Sequence, residues 1–289
     1  MRRSNVVYVS GIAAVLVAGL GVWLPLEDAD ARGRPAPPTY RVDPFWPKPL
    51  PDAWVLGEVA GTCIDSRDHV FTVNRGSSPG GLIAPETVSA TASPAIVEFD
   101  PEGNVVNAWE NLAVMPAGLH GCFVDYQDNI WIAGNGDGIV QKWSRDGTLL
   151  MQIGTRGVCD TSTGACGATD TTLTPPRIAL NGSHTLLNQP ADVAVDPANG
   201  DIYVADGYGN TRIVVFDKDG NYLRQVGEPG RGPGQFSPTG GGHPHCVVLR
   251  DDEVYACDRA NDRIQVFDKS LTQLKRIIPV VPGTGFGGR

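Results

Sequence analysis

The sequence predicts an all-β fold, a β-propeller with four recognisable four-stranded blades. Three observations carry that reading. A unit of about forty residues recurs along the chain. Its short runs of β-branched and aromatic residues are broken by Asp, Asn, Gly or Pro. The composition, with 36 Gly and 23 Pro in 289 residues, supplies a turn every few positions. Hydrophobic residues at 41% and charged residues at 19% exclude a disordered chain.

In chain order, residues 1–31 read as a signal peptide. Arg2 and Arg3 give a positive start, residues 6–26 form an apolar run, and Ala29-Asp30-Ala31 offers the small residues that cleavage needs. An uncleaved anchor is the alternative, and the paired arginines leave twin-arginine export open. Residues 32–53 form a Pro-rich lead-in, and 54–289 the propeller. The expectation is a periplasmic or secreted protein with no stable membrane association after cleavage. The formal net charge of −9 makes nucleic acid an unlikely partner, since an acidic surface repels phosphate.

The clearest unit is PADVAVDPANGDIYVADGYGNTRIVVFDKDGNYLRQVG, residues 190–227, with strands expected at 193–195, 201–205, 212–216 and 222–226. Asn199-Gly200 and Asp219-Gly220 are turn pairs that tolerate positive φ. The same frame recurs at 121–154 and 246–277, and in diverged form at 61–76 with 95–109. Blades are therefore placed at about 55–110, 111–154, 187–227 and 243–278. A meander cannot bury both faces alone, so each blade must stack on the next. A β-sandwich would not impose the recurring R-I-x-V-F-D register. The four blades are expected to form an open arc.

Six cysteines in an exported chain invite disulfides. Cys159 and Cys166, in one polar Gly-containing loop, are the expected pair; closing so short a loop is worth about 2.5 kcal/mol in the chain-entropy account. Cys63, Cys122 and Cys246 sit in apolar strands and are expected as buried free thiols. The pairing of Cys257 stays open.

Innermost strands of a propeller line its axis, so polar residues at their starts are candidate ligands. His120 in GLHGCFVD and His245 in HPHCVVL hold that place in different blades and converge on one axis, where imidazole suits zinc. His69 is expected on a surface turn, His184 on a long loop, and His243 as a poor substitute ligand beside Pro244. Tyr208 and Arg259 also have ordinary roles open to them, filling a turn or stitching blades together, and Asp206 and Asp258 hold equivalent turns.

The units resemble NHL repeats, found in six-bladed propellers. The segments VFTVNRG, GLHG, QPADVAVDPANGDIYVADGYGNTRIVVF, PGQFS, PHC and CDRANDRIQVF, in that order, are similar to peptidyl-α-hydroxyglycine α-amidating lyase, the propeller half of the peptide-amidating enzyme. That resemblance implies a carbon–nitrogen lyase releasing a peptide amide and glyoxylate from a small-molecule or peptide substrate. It matches His120 and His245 to two zinc ligands, Tyr208 to the base, and Arg75 and Arg259 to the two arginines around a carboxylate or oxyanion. It also implies a calcium ion. The family's third zinc histidine comes from a sixth blade in a Pro-His context, so an incomplete site in a truncated ring is expected. The alternative function is a non-catalytic propeller that binds a protein or peptide through its loop face, where the insertions 77–94 and 155–189 lie. A lactonase-type hydrolase would need clustered Glu, Asp and Asn at inner-strand starts, which the sequence lacks.

Overall fold

The protein is seen in a computed structural model that describes residues 39–167, 181–238 and 243–280. The expected signal peptide and the start of the lead-in lie outside the described residues. The chain divides into Met1–Pro44 and Phe45–Arg289. Of the first unit, residues 39–44 are described and contain no helix or strand. The blades lie in the second.

Blade 1 begins after β1 (Trp54–Val55) with β2 (Val59–Ile64) and β3 (Val70–Asn74). Then β4 (Thr91–Ala92) pairs in parallel with β1, and β5 (Ile96–Phe99) and β6 (Val105–Trp109) complete the blade. Blade 2 holds β7 (Leu119–Val124), β8 (Ile130–Gly134), β9 (Val140–Trp143) and β10 (Leu149–Ile153). Blade 3 holds β11 (Asp192–Val195), β12 (Ile202–Asp206), β13 (Arg212–Phe216) and β14 (Tyr222–Val226). Blade 4 holds β15 (Val247–Arg250), β16 (Glu253–Asp258), β17 (Arg263–Asp268) and β18 (Leu274–Pro279). Each blade is an antiparallel meander in chain order. The first strands β2, β7, β11 and β15 pack side by side in that order, as the inner strands of a propeller do.

Turn chemistry explains why the meanders form. Asp217 Oδ1 accepts from the backbone N–H groups of Asp219 and Asn221 at 2.9 and 2.8 Å, and Asp100 Oδ1 accepts from Asn104 N–H at 2.7 Å. These side chains mimic a backbone turn. The glycines that follow, Gly103, Gly147 and Gly220, have φ of +87°, +83° and +86°, where a Cβ would be strained.

The core lies between blades. Phe71, Val73 and Ile96 of blade 1 meet Leu119, Ile130 and Trp143 of blade 2. Trp131 and Val140 of blade 2 meet Val193, Val204 and Phe216 of blade 3, and Tyr203, Ile213 and Val215 of blade 3 meet Val254 and Phe267 of blade 4. Val204 and Tyr203 face opposite gaps because successive strand residues alternate. Each such side chain contributes roughly 1.5–3 kcal/mol on burial, which a lone blade could not obtain.

Polar bonds recur at the same junctions. Asn107 of β6 donates to the Arg145 carbonyl of blade 2 at 2.8 Å. At the junction of blades 3 and 4, Arg224 Nη2 and the Tyr203 hydroxyl donate to the Lys269 carbonyl at 2.9 and 2.8 Å. Both carbonyls stand in the turn between the third and fourth strands. The Arg145 and Lys269 side chains reach back to Asp65 and Asp196 in the first turn of the preceding blade, each at 2.9 Å. Between blades 2 and 3, Met151 stands at the position of Asn107 and Arg224 and has no proton to donate. On the opposite side of blade 1, the matching carbonyl is that of Pro101, and it accepts from the Trp46 indole N–H at 3.2 Å. The Trp46 ring lies 5.6 Å from that of Phe99.

Two expectations are corrected. Cys63 and Cys122, expected as free thiols, form a disulfide between inner strands of blades 1 and 2; Cys246, also expected free, pairs with Cys257. Packing β2 on β7 brings the first two Cα atoms to 5.5 Å, and pairing β15 with β16 brings the others to 5.0 Å. His69 is not on an open turn. It is half-buried, with Nδ1 2.6 Å from Glu98 Oε1 and against Arg145. Cys159 and Cys166 are joined by a disulfide.

Candidate active site

His120 follows Leu119 at the start of β7, and His245 lies two residues before β15. Gly121 lets the chain pass close to blade 3: a Cβ there would stand 2.5 Å from the Ala191 carbonyl and 2.6 Å from Asp192 Oδ1. This closeness allows His120 Nδ1 to reach the Ala191 carbonyl oxygen at 2.8 Å.

Tyr208 sits on the turn between β12 and β13. Asp206 fixes that turn, accepting from Asn188 N–H at 2.8 Å, Asn210 Nδ2 at 2.7 Å and Arg212 Nε at 2.9 Å. The Tyr208 and Gly209 N–H groups donate to the Gln189 and Asn188 carbonyls at 3.0 and 2.9 Å. Gly207 packs so near the next blade that a Cβ would stand 1.8 Å from the Pro244 carbonyl oxygen.

The outcome is a convergence. The Tyr208 hydroxyl lies 3.1 Å from His120 Nε2 and 3.0 Å from His245 Nε2. The two imidazole rings are 4.9 Å apart, edge to face. His245 is 2% exposed, while His120 and Tyr208 keep one side open. Burial lowers the His120 pKa below its usual value; the Ala191 bond opposes this, and the charges of Arg75 and Arg259 push it lower. Neutral His120 must carry its proton on Nδ1, because the Ala191 carbonyl can only accept. Nε2 is then an acceptor for the single Tyr208 proton, and His245 Nε2–H must donate to the Tyr208 oxygen. The three groups thus form a directed proton chain.

Arg259 opens a short 3-10 turn after β16 and places its guanidinium 5.7 Å from the Tyr208 ring centroid. Arg75, in the equivalent position after β3, donates from Nε to the Leu119 carbonyl at 2.8 Å and pairs through Nη1 with Glu58 at 2.9 Å. It borders a pocket of about 510 Å³ with Pro116, Leu119 and Asn135. A second cavity of about 370 Å³ is bordered by all four inner strands, including Thr62, His120, Asp192, His245 and Val248. The four blades therefore share an axis, and both histidines open onto it.

The remaining histidines lie elsewhere. His243 Nδ1 accepts from the Ala260 N–H at 3.1 Å, and His184 stacks on Tyr222 at 3.9 Å. Asp192 escaped sequence reasoning. At the start of β11, its carboxyl accepts from Val247 N–H at 3.1 Å, and burial pushes its pKa up to about 7. The signal was its position, one strand start beyond His120.

Zinc does not fit the described residues alone. Two imidazole nitrogens converge, but catalytic zinc normally takes three protein ligands. Among the described residues the one group of three or more His, Cys or carboxylate donors is Asp65, His69 and Glu98. That group lies at the far end of β2, where Arg145 already pairs with both carboxylates. It offers no open oxygen cage for calcium.

The repeat is of a known kind: residues 187–216, spanning β11 to β13, match the NHL repeat. The chain thus carries an NHL repeat within its row of four-stranded, propeller-like blades. It is 39% identical over 235 residues to a probable peptidyl-alpha-hydroxyglycine alpha-amidating lyase of Caenorhabditis elegans, covering 78% of this chain and 59% of that protein. It is 31% identical over 238 residues to NHL repeat-containing protein 3 of Homo sapiens, covering 80% and 57%. Peptidylglycine alpha-amidating monooxygenase of Rattus norvegicus is 28% identical over 256 residues, covering 82% of this chain and 23% of that protein. The chain spans 57% of the length of the human relative. Among solved structures, a streptogramin B lyase aligns with a TM-score of 0.49 at 16% identity, covering 80% of this chain and 57% of that one.

Proposed function

We propose that this chain carries the proton-transfer half of a carbon–nitrogen lyase site, acting in an exported protein on a peptidyl-α-hydroxyglycine-like substrate. The observation that carries the reading is the double approach of His120 Nε2 and His245 Nε2 to the Tyr208 hydroxyl, at 3.1 and 3.0 Å. The 39% identity to a protein named as a probable lyase of that kind supports it.

The residues can perform the following chemistry. Tyr208, with its proton passed to His120, takes the proton of the substrate α-hydroxyl. The oxygen electrons form the C=O of glyoxylate as the N–Cα bond breaks, and its electron pair stays on nitrogen. That nitrogen takes up the proton and leaves as the amide. Arg259, with its guanidinium 5.7 Å from the Tyr208 ring centroid, can pair with the substrate carboxylate. Arg75, held by Glu58 and Leu119, is the further cation on that side. His120 and His245 are also the two residues that the family resemblance matches to zinc ligands; no step is assigned to a metal.

Glyoxylate release from an N-acyl-α-hydroxyglycine tests the reading. Tyr208→Phe should slow it by roughly 10²–10⁴-fold, as for loss of a general base. Purified protein should hold less than one zinc per chain. A full equivalent, lost in His120→Ala or His245→Ala, would show that a third donor joins them. No glyoxylate from fully zinc-loaded protein rejects the lyase. The binding reading would then lead, favoured by Ile83 and Val88 of the 77–94 insertion, which are 64% and 84% exposed.

A further inference from the structure

We propose that the three disulfides are positioning elements of the candidate active site, one for each member of the Tyr208, His120 and His245 convergence, so that the site is assembled only in the oxidised chain. The kinetic consequence rests on the lyase reading; the placement of the bridges does not.

The convergence joins three sheets. His120 comes from blade 2, Tyr208 from a turn of blade 3 and His245 from the approach to blade 4. The four sheets are separate, so no backbone ladder fixes the spacing between these blades. Packing alone would have to hold the three groups to within about 0.5 Å, the tolerance a reacting site needs.

All six cysteines are bridged, and each bridge braces one of the three groups. Cys122 stands two residues after His120 and ties β7 to Cys63 of β2. The two strands are pressed together at that point. A Cβ on Gly61 would overlap the His120 carbonyl oxygen and stand 3.2 Å from the Cys122 Cβ. Cys246 follows His245 directly, and Cys257 lies two residues before Arg259. The His245 N–H donates to the Cys257 carbonyl at 2.8 Å, and the Cys257 N–H to the Cys246 carbonyl at 3.1 Å. One bridge thus fixes an imidazole and a guanidinium relative to each other.

The third bridge reaches Tyr208 through its neighbours. Cys159 is buried, and a Cβ on Gly138 of blade 2 would stand 2.5 Å from its Sγ. Asp160, the next residue, donates its N–H to the Leu187 carbonyl at 3.1 Å and accepts from Asn210 Nδ2 at 3.3 Å. Residues 188 and 189 carry the carbonyls that hold the Tyr208 turn, and Asn210 is bonded to Asp206 within it. The bridged loop is therefore braced on blade 2 at one side and on the tyrosine's turn at the other. The cores between blades are built from side chains such as Trp131, Val204 and Phe267, so the fold does not wait on these cross-links.

A water-soluble phosphine opens each bridge. It gives two electrons to the S–S bond and takes the oxygen of one water as phosphine oxide, and that water's two protons complete the two thiols. As it acts on the natural chain, glyoxylate release from an N-acyl-α-hydroxyglycine should fall roughly 10- to 100-fold before the far-ultraviolet circular dichroism changes. Re-oxidation should restore it.

Paired substitutions assign the effect bridge by bridge. Cys63→Ala with Cys122→Ala should move the imidazole resonances of His120 more than those of His245. Cys246→Ala with Cys257→Ala should do the reverse, and Cys159→Ala with Cys166→Ala should move both. The turnover number should fall in all three pairs, while KM should rise only where the bridge also holds Arg259. Phe99→Ala empties a core position at the end of β5 that pairs with Val70, away from Arg75; it should lower stability and leave turnover unchanged. Imidazole resonances unmoved by all three pairs overturn the proposal, and so does an equal loss of turnover in Phe99→Ala. Where a pair fails to fold, the natural chain decides: activity and dichroism lost together would mean that the bridges serve the fold and not the site. An oxidised natural chain that releases no glyoxylate sinks the lyase reading, and the imidazole resonances on reduction then decide the positioning alone.

Discussion

Blades 3 and 4 share a polar skeleton and differ in its surroundings. Arg212 and Asp206, both 0% exposed, meet at 2.9 Å in blade 3, and Arg212 also donates to the Ser183 and Leu186 carbonyls and to Gln225. Arg263 and Asp258 meet at 2.7 Å in blade 4 with Arg263 12% exposed, its other bonds going to the carbonyls of Arg231, Gly232 and Gln235. One repeat position thus works as a sealed interior pair in one blade and a partly wet one in the next. The segment leading into each blade, residues 183–186 in one case and 231–235 in the other, supplies the cover over the pair.

The sharpest way to break that comparison is to truncate each arginine. Arg212→Ala leaves the Asp206 carboxylate buried and uncompensated and should cost about 3–5 kcal/mol. Arg263→Ala, where water can enter, should cost about 1.5–3 kcal/mol. Urea unfolding measures both, and equal losses would erase the distinction.

Next in size are the cross-links. Cys63–Cys122 spans 59 residues and ties two blades, so its removal by paired Cys→Ala changes should cost about 4 kcal/mol in the chain-entropy account. Cys246–Cys257 spans 11 residues within blade 4 and should cost about 3 kcal/mol. A larger loss for the shorter loop would point to strand packing rather than loop closure.

A third test uses pH. The folded pKa of Asp192, raised to about 7 by burial, stands above the ordinary 3.8, so the folded state holds a proton that the unfolded state releases between those values. Its contribution is fully present below about pH 4 and is lost as pH rises toward 7. Asp192→Asn should therefore match the natural protein near pH 4 and exceed it in stability above pH 7. His120 acts in the opposite sense: its lowered pKa makes stability fall as pH drops below 6.5. A flat difference between the two proteins would mean that Asp192 ionises normally.

The smallest effect belongs to the surface. Lys218 pairs with Asp219 where both side chains are about two-thirds exposed, at 66% and 63%. Lys218→Ala should leave the melting temperature unchanged. Lys269→Ala, at the same repeat position but bonded to buried Asp196 across a junction, should lower it.

Local chemistry was readable in the sequence. The turn pairs at Asn199-Gly200 and Asp219-Gly220 mark hairpins of blade 3, and its third and fourth strands have the expected bounds, while the first begins one residue earlier, at Asp192, and the second is shifted by one, to Ile202–Asp206. His120 and His245 could be placed on one axis because repeat position encodes direction. What escaped was whatever depends on the distance between blades. Cys63 and Cys122 look like separate apolar residues until β2 and β7 are packed together. His69 looks like a surface residue until Arg145 arrives from the next blade. Asp192 reads as a strand-opening acid until the packing of the inner strands buries it and makes it hard to ionise.

Trp46 stands in for a blade. Its indole N–H meets the Pro101 carbonyl of blade 1 as Asn107 meets the Arg145 carbonyl of blade 2 and Arg224 the Lys269 carbonyl of blade 4, so a residue from a segment outside the sheets supplies the proton that elsewhere comes from a neighbouring sheet.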